Sequence, residues 1–353
     1  MSANKDGKKW RCQFYYVDWQ GVRRKKNKRG FMRKRDALEW EKNFKESMQK
    51  YMSVRFDEFA RLYLDDMDVR LRVNTVRGKR YLFEKHIIPY FKNMYLCDIK
   101  PPDIRGWQNE MLKREYSPTY LKQLNSQLKA LFSYAEKYYG LNDNPCRRAG
   151  SIGNNKTKEL NFWTREEFEV FIKTLSSDED YADRLIFLLL YWTGMRVGEL
   201  LALTPNDINT EEGSISITKS YQRIKGQDVT TPPKSKKGVR AVTLPDFLCY
   251  AVAEYIIRKG CPDDGRIFGV SRFHIEYSLK RHADMAKLHR IRVHDLRHSH
   301  ASLLIEMGVT PLLIAERLGH EKIETTLDTY SHLYPGKQRE LAQKLNDEYG
   351  LAP

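Results

Sequence analysis

At 353 residues the chain is longer than one compact domain usually needs, so two or three domains are expected. Its 41% hydrophobic content supports folded cores and excludes a disordered chain; no apolar run approaches the roughly 20 residues of a membrane span, and the opening MSANKDGKKW lacks the apolar stretch of a secretory signal. Lys and Arg outnumber Asp and Glu by 62 to 46, a net charge of +16 that points to a polyanion, nucleic acid first, and the five scattered cysteines (Cys12, Cys97, Cys146, Cys249, Cys261) show no CxxC spacing, which excludes a disulfide scaffold or structural zinc and suits reduced thiols in a cytoplasm.

Residues 1–50 hold 16 Lys and Arg against 6 Asp and Glu, so +10 of the +16 sits there. A disordered basic tail is one reading of such a run. The apolar pattern favours a fold: Trp10, Cys12, Phe14 and Tyr16 alternate as a half-buried strand does, and Asp18–Gly21 reads as a turn. A second strand is expected through Val22–Arg29, a third starting at Phe31, and a helix through Ala37, Trp40 and Phe44. A small sheet backed by one helix, with Arg and Lys on one face, suits a DNA groove.

Residues 52–145 read as a helical domain. Phe56, Phe59, Tyr63 and Met67 form one stripe, and Leu121, Leu124, Leu128, Leu131 and Phe132 another. Both stripes are read as core. Pro89, Pro101-Pro102 and Pro118 punctuate the helices, with Ser117 as an N-cap. Arg70, Arg72, Arg77, Lys79 and Arg80 are read as solvated charges able to track a DNA backbone. Asn142–Lys158, rich in Asn, Gly, Lys and Arg, carries the linker, placed at 146–158, and 159–353 forms the last domain. Its opening helix is Thr164–Leu175, with Thr164 and Glu167 spaced as a capping box, and Asp183–Trp192 is an apolar helix too short to cross a membrane.

Four pieces of this last domain bear on chemistry. In TGMRVGEL a buried helix stops at Thr193-Gly194 and another begins with Arg196 in its first turn, beside free N–H groups that favour an anion. Lys234 and Lys236, in PKSKKG, sit at the tip of a hairpin whose strands carry Ile215, Ile217, Val242 and Leu244; an ammonium there can donate a proton to a leaving group. His294 and Arg297 are i,i+3 neighbours on one helix face. A metal site built on His294, His298 and His300 is disfavoured, because no carboxylate or cysteine accompanies them and His298 and His300 point to different faces. Finally, Thr310-Pro311 starts a helix that Gly319 ends before His320, and a short helix leads to Tyr330. Each piece alone has an ordinary reading as surface charge, core tyrosine or helix-turn-helix.

Together, Arg196 in TGMRVGELLAL, His294-x-x-Arg297 in HDLRHSHAS, His320 in LGH and Tyr330 ten residues later resemble tyrosine recombinases of the phage-integrase type. The resemblance is strongest over about 160–340. It implies a multidomain, mainly α fold with small β elements: an arm-type DNA-binding domain at 1–50, a helical SAM-like core-binding domain at 52–145 and an α+β catalytic domain at 159–353. It implies that Tyr330 attacks a DNA phosphodiester and forms a 3′-phosphotyrosine. Arg196 and Arg297 would grip the non-bridging oxygens. Lys234, with Lys236 as the alternative, would protonate the departing 5′-oxygen. His294 would assist proton movement at the tyrosine, and His320 would hydrogen-bond the phosphate. The implied partners are double-stranded DNA at core and arm-type sites, a homotetramer on that DNA in which the tail stretch Leu341–Tyr349 docks on a neighbour, an excisionase and a DNA-bending host protein, with no membrane. No metal, ATP or other cofactor is needed, since two guanidiniums answer the charge built on phosphorus and the phosphotyrosine keeps the bond energy. The implied activity is integration or excision of a prophage or other mobile element. A type IB topoisomerase shares the catalytic logic, and a helix-turn-helix repressor remains the alternative without catalysis, one that leaves Arg196, Lys234 and Tyr330 unexplained.

Overall fold

The structure, a computed structural model, describes residues 2–7, 9–17, 23–50, 54–154, 160–224, 226–233, 235–333, 342–343, 345–347 and 349. It forms two compact units, Met1–Lys158 and Glu159–Pro353. Among the described residues no helix is long and apolar enough to cross a membrane.

The first unit opens with strands β1 (Ala3–Asp6), β2 (Lys9–Val17) and β3 (Arg23–Phe31), antiparallel in that order, followed by helix α1 (Lys34–Lys50). Strand alternation puts Trp10, Cys12, Phe14 and Tyr16 on the face that packs against Ala37, Trp40 and Phe44. The β1 strand has no apolar alternation and was not expected. Phe31 ends β3 instead of starting a strand, because the register slips: Trp10 pairs with Phe31 but Arg11 with Arg29. Gly30, at φ +94°, is the extra residue, and only that bulge returns Phe31 to the helix side, 5.7 Å from the Trp40 ring. The expected turn at Asp18–Gly21, with Val22, lies outside the described residues.

The rest of this unit is helical: α2 (Phe56–Arg70), α3 (Val73–Leu82), α4 (Ile88–Phe91), α5 (Pro101–Lys113), α6 (Pro118–Tyr139) and α7 (Pro145–Ala149). Both apolar stripes enter one core, in which Phe56, Leu124, Leu128 and Phe132 are fully buried. Ser117 caps α6, its hydroxyl accepting from the Tyr120 N–H at 3.3 Å. Pro89 does not break its helix. The chain widens into one π turn over Phe83–Ile87, where the Ile88 N–H reaches back to Phe83, and so absorbs the proline ring.

Two expectations are corrected here. The start of the expected linker is folded: fully buried Asn144 donates to Lys129 O and to Ser133 and caps α7, which buries Cys146 and Ala149. Polar composition hid a helix whose partners, a backbone carbonyl and a hydroxyl, lie eleven or more residues back. Lys79 is not a surface charge. It is buried and donates to Tyr63 Oη at 2.8 Å and Gln127 Oε1 at 2.6 Å.

The second unit comprises α8 (Arg165–Lys173), α9 (Tyr181–Thr193), α10 (Val197–Leu200), strands β4 (Ile208–Asn209), β5 (Ser214–Ile217), β6 (Ser220–Ile224), β7 (Gln227–Thr231) and β8 (Arg240–Thr243), then α11 (Asp246–Lys259), α12 (Arg272–Met285), α13 (Asp295–Glu306), α14 (Pro311–Leu318) and α15 (Ile323–Tyr330). Thr164 and Glu167 form the capping box at α8. The apolar α9 lies at the centre of the main core, with Ile186, Phe187 and Leu189 fully buried. The sheet runs β4-β5-β8, pairing Ile215 with Val242 as their alternation suggests, but β6 and β7 form a hairpin of their own. Lys236 is therefore not at a hairpin tip but in the return from β7 to β8, and Lys234 lies outside the described residues. The β6–β7 pair is too polar to announce itself by alternation, and it is anchored by Tyr221, which donates to Asp228 at 2.7 Å and carries the Arg266 guanidinium 3.9 Å above its ring.

Candidate active site

The end of α9, the start of α10, the start of α13, the α14–α15 turn and β8 meet around one carboxylate. Gly194 ends α9 at φ +65°, and a Cβ there would lie 2.6 Å from His300 and 2.7 Å from Leu318. Only glycine fits. Two residues on, Arg196 is the residue that caps α10, one position before its first turn. Its guanidinium donates to Glu199 Oε1 at 2.8 Å and its backbone N–H to Oε2 at 3.0 Å.

Glu199 is buried and also receives Arg240 at 3.0 Å. Burial alone would raise this carboxyl, but Arg240 and Arg196 hold it below the usual range. Arg240 was not singled out from sequence, since a basic residue in a short strand looks like a solvated one. It is instead 7% exposed and pinned at Arg317 O and Gly238 O.

Arg297 is 3% exposed, and no carboxylate bonds to it among the described residues. It donates to Gly194 O at 2.8 Å and Leu318 O at 2.5 Å. A guanidinium has five N–H groups, so three remain for a ligand. Burial, then Arg196 and Arg240, push its pKa down to about 9. Arg196 and Arg240 thus share the Glu199 carboxylate, and Arg297 stands near them with no bonded carboxylate among the described residues, an arrangement short of negative charge that a phosphate would relieve.

Tyr330 ends α15, 1% exposed among Ala301, Ile305, Ile314 and Leu318. Burial raises its pKa to about 12, against the pull of Arg297. Its hydroxyl bonds not to His294 but to His298 Nδ1, at 2.7 Å. His294 caps α13 with an exposed edge, its ring 5.6 Å from that of His298. Protein packed around the ring, together with His298, Arg297 and Arg196, pushes its pKa down to about 4. His320 is half-buried, its Nδ1 bonded to Thr326 at 2.7 Å, and burial with the nearby arginines pushes it down to about 4. His300 faces away and accepts from Arg317 at 3.1 Å.

Of the residues singled out from sequence, Arg196, His294, Arg297, His320 and Tyr330 therefore come together. Lys234 lies outside the described residues, and Lys236 is exposed in the turn before β8. His298 was passed over because its partner is 32 residues away. Its place one helical turn after His294 was the available signal. Among the described residues no group of three His, Cys, Asp or Glu could hold a metal ion.

Comparison with known proteins agrees with this geometry. Residues 161–337 match the phage integrase family, 55–112 the phage integrase N-terminal SAM-like domain and 2–48 an arm DNA-binding domain. The ICEBs1 integrase of Bacillus subtilis is 29% identical over 335 residues, covering 89% of this chain and 90% of that one. A putative prophage phiRv2 integrase of Mycobacterium tuberculosis is 29% identical over 304 residues, covering 82% and 78%. In fold, the Tn1549 transposon integrase in complex with a circular intermediate DNA matches with a TM-score of 0.70 at 20% identity, covering 81% of this chain and 99% of that one. A lambda integrase dimer bound to a COC′ core site matches at 0.60 with 16% identity, covering 94% of each. The chain belongs to the phage integrase family and is a tyrosine recombinase.

Proposed function

We propose that this recombinase cuts and rejoins double-stranded DNA through Tyr330, to integrate or excise a mobile element in a bacterial cytoplasm. The observation that carries the reading is the pair Arg196 and Arg240 bonded to the buried Glu199, with Arg297 nearby and no carboxylate bonded to it among the described residues, next to a buried tyrosine. Arg297, already fixed by two carbonyls, and Arg196 bind the non-bridging oxygens of the scissile phosphate. Because their geometry is set before the substrate arrives, little reorganisation opposes the charge that builds there.

The Tyr330 oxygen bonds to phosphorus while the bond to the 5′-oxygen breaks, leaving a 3′-phosphotyrosine. The departing oxygen takes its proton from Lys234 or Lys236. His320, with Nδ1 tied to Thr326, offers Nε2 to the phosphate, and His294 supports proton movement at the tyrosine. A 5′-hydroxyl from another strand then reverses the step. Neither metal nor ATP enters this sequence.

The N-terminal sheet supports a second DNA contact. Its outer face carries Arg11, Gln13 and Tyr15 opposite Arg29, Asn27 and Lys25, a row able to meet phosphates and base edges at arm-type sites while 52–145 holds the core site. Work on two sites calls for several copies, and a tetramer on DNA, served by an excisionase and a DNA-bending protein, completes the proposal. The expected tail contact, Leu341–Tyr349, lies only partly within the described residues.

A nicked suicide duplex tests the reading. Wild-type protein traps a covalent adduct in the presence of EDTA, and Tyr330→Phe binds the duplex equally but traps none. Adduct formation by Tyr330→Phe refutes the nucleophile. Relaxation of supercoils without exchange between duplexes identifies a topoisomerase instead.

A further inference from the structure

The expectation for His294 left the phenolic proton without a bonded acceptor in the folded chain. The only side chain bonded to the Tyr330 hydroxyl among the described residues is His298. We propose that His298 Nδ1 takes the proton of Tyr330 as the tyrosine oxygen attacks phosphorus, an inference that rests on the cleavage reading above.

The geometry is complete before DNA arrives. The O···N distance is 2.7 Å, within general-base reach, and the two rings lie 5.6 Å apart at 60°. His298 sits on α13 one residue after Arg297, so the same helical turn presents a guanidinium and an imidazole to the α14–α15 side. Proton acceptance needs a neutral ring. Burial, Arg297 and Arg292 hold the His298 pKa below its ordinary value, although Asp295 pulls the other way. His294 and His320, the other imidazoles facing it, are themselves held neutral at pH 7 by pKa values of about 4. Burial keeps the phenol protonated, so it can donate to Nδ1 of the Nε2–H tautomer.

The atoms balance. The Tyr330 O–P bond forms and the P–O5′ bond breaks. The phenolic proton moves to Nδ1, giving an imidazolium, and the lysine's proton moves to O5′. In the reverse step a 5′-hydroxyl attacks phosphorus and gives its proton back to the neutral lysine, the P–O bond to Tyr330 breaks, and His298 returns its proton to the tyrosine oxygen. His294, with its exposed edge, its ring 5.6 Å from that of His298 and no bond to the phenol among the described residues, supports this proton movement from beyond His298.

Single-turnover cleavage of the suicide duplex by the full chain separates proton acceptance from positioning. His298→Ala is expected to bind DNA as wild type does and to cleave about a hundredfold or more slowly. Added imidazole restores part of that rate. The acid limb of the wild-type rate profile disappears in this variant and persists in His294→Ala. His298→Gln keeps an acceptor for the phenol but cannot carry its proton, so it stays as slow as Ala. A near-wild-type rate in His298→Gln, or an unchanged acid limb in His298→Ala, overturns the proposal. A second measurement is independent of cleavage: in 15N-histidine spectra of the free chain, Tyr330→Phe shifts Nδ1 of His298. An unmoved signal also overturns the proposal, even where the wild type traps its adduct. A missing wild-type adduct with a moved signal points instead to failure of the cleavage reading.

Discussion

On the outer face of the N-terminal sheet, Arg23, Lys25 and Arg29 are exposed; Arg23 lies 4.6 Å over the Tyr15 ring, and Arg29 is 3.6 Å from Asp6. Around Glu199 the cations are held in the opposite way. Arg297 and Arg240 are buried, and backbone carbonyls fix their heads. The charge has one sign and two uses. Exposed cations on flexible stems add affinity that salt screens over a Debye length of about 10 Å at 0.1 M. Buried guanidiniums, whose desolvation is already complete, gain most from charge that develops in a transition state. One region should therefore govern where and how tightly the chain binds, the other how fast it reacts.

The largest test of that division is Arg297→Lys. A lysine cannot reach Gly194 O, Leu318 O and a phosphate together. Single-turnover cleavage is expected to fall by about a hundredfold or more, with the salt dependence of binding unchanged. A loss of affinity that tracks salt would erase the distinction. Next is the converse change, Arg23, Lys25 and Arg29 all to Ala. If each meets one phosphate, the slope of log affinity against log salt at arm-type DNA falls by about 2.7, at about 0.9 per contact. Cleavage of a bare core site should keep its rate. An unaltered slope would falsify the sheet face as the arm-site contact.

Acid should part the two regions as well. Burial pushes the His300 pKa down to about 3, with Arg317 adding to the effect, whereas an unfolded histidine titrates near 6.5. Between those values the unfolded chain binds a proton that the folded one refuses. Stability from this group is therefore whole above about 6.5 and drains as the pH falls toward 3, by up to about 1.4 kcal/mol per pH unit. Among the described residues the first unit has one histidine, His86, whose pKa burial also lowers, against four such in the second, His294, His298, His300 and His320. Thermal unfolding followed from neutral pH to about 5 should show the second unit losing stability first, and His300→Gln should flatten its dependence.

What the sequence disclosed follows the range of the forces involved. Caps at Ser117 and Thr164 were legible because acceptor and donor lie three residues apart. Residues 196, 294, 297, 320 and 330 were legible through the order and spacing of a family's motifs. The helix at Pro145–Ala149 was missed because it is stabilised by contacts with α6, not by its own periodicity. Arg240 and His298 were missed for a related reason. A strand arginine and a helix histidine look alike whether they face water or, as here, Glu199 and Tyr330 at 41 and 32 residues' remove. The lysine segment was misplaced because a polar hairpin intervenes between β5 and β8.

The smallest predicted effect tests the comparison where a cation belongs to neither region. Lys79 was grouped by sequence with Arg77 as a backbone-tracking charge, yet Arg77 is exposed while Lys79 is buried, and burial lowers its pKa. Its ammonium serves Tyr63 and Gln127 inside the helical core. Lys79→Met keeps the volume and removes a charge whose desolvation offsets most of what its hydrogen bonds contribute, so stability should change by less than about 1 kcal/mol. The salt slope of DNA binding should not move, whereas Arg77→Ala lowers it by about 0.9 if that side chain meets a phosphate. Equal changes of slope in the two variants would mean that Lys79 leaves its pocket to reach DNA, and that burial in the free chain is a poor guide to which cations bind.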